Sequence, residues 1–365
     1  MTFETDRMEQ IRNAVNVCTM CGFCKSVCPS FKAIGWDSAL SRGRIVLSYG
    51  LLNGEIEADD SVVENMYTCT TCADCVRRCP SKVKIVDIIE LCRADLVKNG
   101  HILPKHKTVI DNILRTNNPF GEERSVVETL GRKPKNAEIG YFAGCTATYR
   151  SKKTSQAALS ILDKLGVDFT TIDEICCGSV MQRIGWPIED VKKYMQKNVD
   201  AIKSLGIKTL VLSCAGCYRM FKEEYPKYVD VPFRVLHMTE FLAEQDLKLK
   251  PMKSVVTYHD PCHLGRHAGV YDAPRQVIAK IPEITFKEMQ FNRNLAHCCG
   301  GGGGVRSAYP EESKRIASTR VDEAIETGAG TIITTCPFCV SNLIFGLDGK
   351  DIKVVDLTEL IDELL

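Results

Sequence analysis

The sequence predicts an α+β protein of several domains: a helical, cysteine-rich N-terminal module, followed by two α/β modules with parallel sheets. Three observations predict it. Of the 19 cysteines, 18 fall into four regularly spaced sets, and only Cys92 stands apart. The first two sets are four-cysteine runs closed by proline, in a segment whose apolar residues recur at helical spacing. The last two are five-cysteine sets that repeat one order of elements: strand, cysteine, helix, strand, Cys-Cys-Gly, helix, strand, C-x-x-C.

The chain has 365 residues, enough for two or three domains each burying its own core. Apolar content of 44% and charged content of 25% are those of a globular protein. A net charge of +1 offers no basis for binding nucleic acid or an anionic membrane surface. Met1 to Val17 carries no apolar secretory core, and no apolar run approaches the roughly 18 residues that span a bilayer. Cysteines in such a chain point to the reducing cytosol and to metal rather than to disulfides. The expected location is therefore cytoplasmic, or peripheral on the cytoplasmic membrane face through a partner protein.

The N-terminal module, residues 1–105, carries Cys18, Cys21, Cys24 and Cys28 before Pro29, then Cys69, Cys72, Cys75 and Cys79 before Pro80. Zinc sites usually pair two C-x-x-C knuckles; four thiolates in one tight run favour iron–sulfur. Both runs resemble those of bacterial ferredoxins, in which the fourth cysteine crosses to the other cluster. That resemblance implies one cubane 4Fe–4S cluster on Cys18, Cys21, Cys24 and Cys79, and a second on Cys69, Cys72, Cys75 and Cys28. Forty residues separate the runs, with helical stretches at Ser41–Leu52 and Ser61–Tyr67, so the expected form is the helical two-cluster ferredoxin. Ile85, Ile88, Ile89, Cys92 and Leu96 make one apolar helical face, which marks Cys92 as a buried structural thiol. Leu103 to Lys135, with Pro104, Pro119 and Pro134, reads as a largely irregular connection, which makes 106–136 the linker between domains.

Two modules follow, 137–250 and 251–365. Cys145, Cys176, Cys177, Cys214 and Cys217 form the first set; Cys262, Cys298, Cys299, Cys336 and Cys339 form the second. Strands are expected at Ile139–Ala143, Val167–Ile172 and Thr209–Ser213, then at Ser254–His259 and Thr331–Thr335. Helical patterns at Thr154–Leu165 and Val191–Leu205 separate those of the first copy. Strand–helix alternation implies parallel sheets with right-handed crossovers, and each cysteine group then lies at a strand's carboxyl end, where open α/β sheets build their sites. Even the tails echo each other, His237-Met-Thr-Glu-Phe-Leu242 against Asp356-Leu-Thr-Glu-Leu-Ile361. Disulfides or a zinc site would leave one thiol over in each set; five soft ligands fit a larger iron–sulfur assembly, which spacing alone does not specify.

These patterns resemble the duplicated CCG domain, and the whole chain resembles the D subunit of heterodisulfide reductase. The resemblance implies a non-cubane 4Fe–4S cluster on each five-cysteine set, with all ten positions present. It also implies reduction of the coenzyme M–coenzyme B disulfide to two thiols. Electrons would come from a redox partner: a membrane cytochrome b, a flavoprotein, or a subunit linked to a hydrogenase or formate dehydrogenase. Similar chains serve as electron-transfer subunits beside FAD-dependent glycolate, lactate or glycerol-3-phosphate dehydrogenases, which is the alternative. No flavin or nicotinamide fingerprint follows a strand in this sequence.

Among other residues, Gly178 and the run Gly300, Gly301, Gly302, Gly303 and Gly304 permit close backbone approach and free amides to meet sulfide or an anionic substrate tail; a loop without ligand role is the alternative. His259, His263 and His267 cluster around Cys262, and His297 adjoins Cys298. His259 and His263 are candidate proton donors for departing thiolates, with hydrogen bonding to cluster sulfur as the other role open to them. Arg266 and Arg306 are candidates to hold anionic substrate groups as bidentate partners, with arginines on a solvated face as the ordinary alternative.

Overall fold

A computed structural model describes residues 3–365. Among the described residues, eight strands form two sheets: β1 (Ile139–Phe142), β2 (Phe169–Thr171), β3 (Thr209–Leu212) and β4 (Arg234–His237), then β5 (Val255–Tyr258), β6 (Thr285–Phe286), β7 (Thr331–Thr334) and β8 (Lys353–Asp356). Every pairing is parallel, and the strand orders match, β2-β1-β3-β4 and β6-β5-β7-β8. The central strands are buried along most of their length, as parallel strands covered on both faces must be. In each sheet the chain reverses direction between its first and third strands, the topological switch point where α/β folds place ligands. The fourth strand of each module, β4 or β8, leads into the echoed tail segments. His237 and Asp356 cap the helices that follow, each accepting a backbone N–H two residues on.

The N-terminal module is helical, with Ser41–Leu52 and Asp60–Tyr67 preceding the second cysteine run and Ile85–Lys98 behind it. Cys92 is fully buried on that last helix. The stretch 106–136, read as an irregular linker, requires correction. It holds most of a 13-residue helix, Pro104–Thr116, and a short one, Val126–Leu130. Pro104 occupies the first turn, where a missing N–H is harmless, and Asn117 ends the helix at φ 59°. Ser125 and Glu128 start the second with a reciprocal capping box.

The two sheet modules face each other about a pseudo-two-fold axis. Helix Lys152–Lys164 of the first packs on Leu357–Leu364 of the second, and its counterpart Asp272–Ala279 packs on Met238–Ala243 of the first. Such reciprocal contact is what an isologous interface produces. Between them lies a core of Tyr141, Val211, Leu236, Met238 and Phe241 against Tyr258, Ile333, Leu357 and Ile361.

The N-terminal module is joined to both by one buried cation. Arg93 donates to the carbonyls of Met66 and Cys69 in its own module, of Arg183 in the first sheet module and of Gly303 in the second. Nearby, His106 is buried with Nε2 bonded to the Gly304 carbonyl at 2.9 Å and Nδ1 without a partner among the described residues. Burial pushes its pKa down to about 4, and the Arg93 charge adds to this, although the bond to Gly304 opposes it. The folded value lies below the unfolded one of ~6.5, so the stabilisation is complete above that pH and is lost as pH falls towards 4. By pH 5 the loss is about 2 kcal/mol, at 1.36 kcal/mol per unit. Urea unfolding at pH 7.5 and 5 is expected to show a smaller pH slope in His106→Gln than in the parent.

Candidate metal centres

None of the 19 cysteines, all of which lie within the described residues, is in a disulfide. Cys18, Cys21, Cys24 and Cys79 line a single cavity together with Met20, Arg42, Ile45 and Val83. Cys28 lies instead in the charge environment of Cys69, Cys72 and Cys75, so each run sends its fourth thiol to the other group. The two runs share a backbone device. Met20 and Gly22 in the first, and Thr71 and Ala73 in the second, all have φ between 53° and 79°. Three of these are not glycine, and each such residue is strained by about 1–2 kcal/mol. The alternating conformation turns successive amides towards one point, a nest suited to an anionic cluster. Thr71 N–H already donates to Cys69 Sγ at 3.4 Å, and Val83 N–H to Cys79 Sγ at 3.4 Å.

The five-cysteine sets form two trails of neighbouring thiols. The first runs Cys145, Cys176, Cys177, Cys217, Cys214; the second runs Cys262, Cys298, Cys299, Cys339, Cys336. Cys299 and Cys339 sulfurs lie 3.4 Å apart. The trails meet head to head, because the Cys214 thiol and that of Cys336, its counterpart across the pseudo-two-fold axis, are close enough to shift each other's titration. Partway along, the second trail meets the N-terminal module, where the Cys298 and Cys72 thiols act on each other in the same way. Strand ends explain the placement: Cys145 follows β1, Cys214 follows β3, and Cys262 and Cys336 follow β5 and β7. Gly144, at φ 78°, is needed because a Cβ there would lie 2.9 Å from Cys217 Sγ. Soft sulfur donors, four and four then five and five, mostly buried, suit iron–sulfur clusters and no hard cation.

Other predicted residues separate by role. Gly300 donates its amide to Cys298 Sγ at 3.3 Å. Gly178, at φ 84°, packs where a Cβ would meet Val191 at 2.9 Å. Gly301 abuts Phe338, while Gly302 and Gly303 press on the backbone of Cys69 and Thr70, so the glycine run is the seam joining the second sheet module to the N-terminal one. A Cβ on Gly303, at φ 65°, would lie 2.2 Å from the Cys69 carbonyl oxygen, whereas one on Gly349, at φ 81°, would meet nothing. Gly303→Ala is expected to destabilise by about 3 kcal/mol and to lower iron content, against about 1 kcal/mol and no iron loss for Gly349→Ala; thermal unfolding and iron assay check both.

Arg266 donates from Nε to the Cys72 carbonyl at 2.8 Å and from Nη1 to the Ala296 carbonyl, while its buried Nη2 has no partner among the described residues. Arg306 stacks on the Phe345 ring at 3.5 Å. His267 contacts the Thr71 carbonyl at 2.9 Å, and His297 pairs with Glu323. His263 reaches across to the first set: its Nε2 lies 3.3 Å from Arg219 Nη1, and its Nδ1 faces Gly216 beside Cys214. Burial first, then the Arg219 charge, holds it neutral, with its pKa well below the ordinary value. His259 sits within the second set, beside Cys299 and Cys339.

Sequence reasoning missed a buried ionic group, Glu90, Arg183, Arg219 and Glu224, in which Arg183 bridges Glu90 of the N-terminal module to Glu224 at 3.2 Å. No local motif marks these residues, since Glu90 lies far from the other three in the chain. A cavity of about 250 Å³ also went unforeseen; Cys145, Cys176, Tyr149 and Glu174 line it with residues of the 115–126 connection. Among the described residues, no helix is long and apolar enough to cross a membrane.

Comparison with known proteins agrees with this architecture. Residues 14–83 match the family described as 4Fe-4S dicluster domain, and residues 139–222 and 256–344 each match the cysteine-rich domain family CCG. The chain is 38% identical to the D subunit of dihydromethanophenazine:CoB–CoM heterodisulfide reductase of Methanosarcina mazei, covering 95% of this chain and 93% of that one. It is 33% identical to the B subunit of fumarate reductase (CoM/CoB) of Methanothermobacter marburgensis, over 94% of this chain and 71% of the relative. It is 32% identical to EtfAB:quinone oxidoreductase of Syntrophomonas wolfei, over 82% of this chain and 46% of that protein.

Proposed function

The chain belongs to the family of heterodisulfide reductase D subunits, and on that premise we propose that it reduces the disulfide of coenzyme M and coenzyme B to two thiols. As an iron–sulfur oxidoreductase of this type, it acts on a sulfur group. In this reading Cys18, Cys21, Cys24 and Cys79 hold one cubane cluster and Cys69, Cys72, Cys75 and Cys28 the other. Each five-cysteine set holds a non-cubane 4Fe–4S cluster. Bound clusters would supply electrons one at a time.

The observation that carries the proposal is the meeting of Cys214 and Cys336. Opening a disulfide, RSSR′ + 2e⁻ + 2H⁺ → RSH + R′SH, divides one bond between two sulfurs. Two corresponding five-thiol sets face each other across the pseudo-two-fold axis, which supports one set acting on each sulfur. His263 lies at that junction with a ring nitrogen towards the first set, a position suited to orienting a proton near the departing thiolate. The Cys72–Cys298 contact gives the N-terminal module a short connection to the pair. A redox partner would deliver electrons near Cys21, the exposed cysteine, beside the exposed Phe23.

The likeness to EtfAB:quinone oxidoreductase favours one second reading, an electron-transfer unit beside a flavoprotein with no substrate of its own. The two are separated by anaerobic incubation of iron-loaded protein with reduced viologen and the heterodisulfide. The proposal expects two thiols per disulfide; viologen-reduced clusters without thiol release would leave the second reading standing.

A further inference from the structure

The two halves of the pair are not equivalent, and one difference lies against the thiols of the second set. Tyr141 on β1 and Tyr258 on β5 occupy matching registers, paired with Val211 of β3 and Ile333 of β7. Their hydroxyls make matching bonds, to Ser213 Oγ at 3.0 Å and Thr335 Oγ1 at 2.8 Å. The next residue along the chain is Phe142 in the first module and His259 in the second. Both are buried to within 1% exposure. Phe142 meets the edge of Phe221 with ring centroids 4.9 Å apart, an apolar neighbour. His259 instead lies with a ring nitrogen and the Cys299 and Cys339 sulfurs all within 4.8 Å of one another.

Its tautomer follows from its other partner. Arg320 Nε lies 3.1 Å from His259 Nδ1, and a guanidinium only donates, so Nδ1 accepts. The neutral ring then carries its proton on Nε2, the nitrogen left without a nitrogen or oxygen partner among the described residues. Coordination of iron through Nε2 would require the proton on Nδ1, which Arg320 forbids. Arg320 is itself buried and held by Glu323 at 2.6 Å, and its counterpart in the first module, Asn198, spends its amide on the carbonyls of Ile175 and Cys176. The histidine–arginine pair therefore exists on one side only.

We propose that His259 is a positioning residue that donates a hydrogen bond from Nε2 to the sulfur of the second set, so that the two five-cysteine centres differ in reduction potential, the second being the easier to reduce. This rests on the reading that both sets carry clusters. Hydrogen bonds to cluster sulfur favour the more negative, reduced state, and they are among the levers that set cluster potentials.

The test is an EPR-monitored potentiometric titration of anaerobic, iron-loaded, full-length protein, with His259→Phe, His259→Gln and Phe142→His alongside the parent. His259→Phe is expected to make one five-cysteine centre harder to reduce by about tenfold in its one-electron equilibrium, or 59 mV, with the other centres unmoved. His259→Gln keeps a side-chain N–H and should restore most of the shift. Phe142→His should move a different centre in the opposite direction. If His259→Phe loses iron, the Phe142→His titration decides. Unmoved potentials at parental iron content overturn the proposal alone. A parent whose five-cysteine sets carry no iron overturns the functional reading, and this proposal with it.

Discussion

Cys214→Ala and Cys336→Ala are each expected to lower disulfide reduction by more than about a hundredfold while leaving the N-terminal clusters reducible. Changes to groups that merely support metal ligands lower activity 10–100-fold, so loss of a ligand sets that range as a floor. The two substitutions fall where the thiol trails of the sheet modules touch each other. If one electron must pass to each sulfur, either loss disables the pair, and the double variant should be no worse than the single ones. Cys92→Ala removes an equally buried thiol that lies in no set, and should retain activity. Thiol release from the heterodisulfide under reduced viologen measures the effect, and dithionite difference spectra report on the N-terminal clusters. A single variant with parental thiol release would refute the paired arrangement.

Arg93→Ala is expected to be the most damaging change outside the cysteine sets. Its guanidinium is fully buried and satisfies four carbonyls drawn from all three modules, and its face lies over the Tyr67 ring at 5.0 Å. Truncation leaves those carbonyls without donors, at about 1–3 kcal/mol each before any water enters. A total loss of about 4 kcal/mol or more follows, enough to lower the melting temperature by on the order of 10 °C. Arg93→Lys keeps the charge but offers a point donor where a planar fork is needed, so it should recover only part. Because two of the carbonyls belong to Cys69 and Gly303, iron content should fall together with stability. Differential scanning calorimetry with parallel iron assay tests this; a melting temperature indistinguishable from the parent's would contradict it.

The residues that announce chemistry were legible from spacing, and those that join the modules were not. Each cysteine set could be read because ligand spacing follows from local backbone geometry: an αL residue between successive cysteines, or a turn at a strand end. The duplicated modules were legible because strands covered on both faces show as short apolar runs, as at Thr209–Leu212. The connection 106–136 was misread because Pro104 is a breaker within a helix but a favoured opener at its first turn, and only capping by Asn117, Ser125 and Glu128 distinguishes the two. What Arg266 donates to was not legible, because its acceptors, the carbonyls of Cys72 and Ala296, are 194 and 30 residues away. Glycines 302 and 303 signal close backbone approach but not to what: they make room for the backbone of a distant segment.

The self-facing arrangement of the sheet modules has a consequence for how the two halves change. Equal positions in contact are what a pair of separate one-module chains would present to each other. Carrying both on one polypeptide fixes their ratio at one to one and makes their pairing indifferent to dilution. It also frees each copy from having to match the other, since a substitution in one no longer appears twice. Phe142 in one copy against His259 in the other is a difference that two identical chains could never have held.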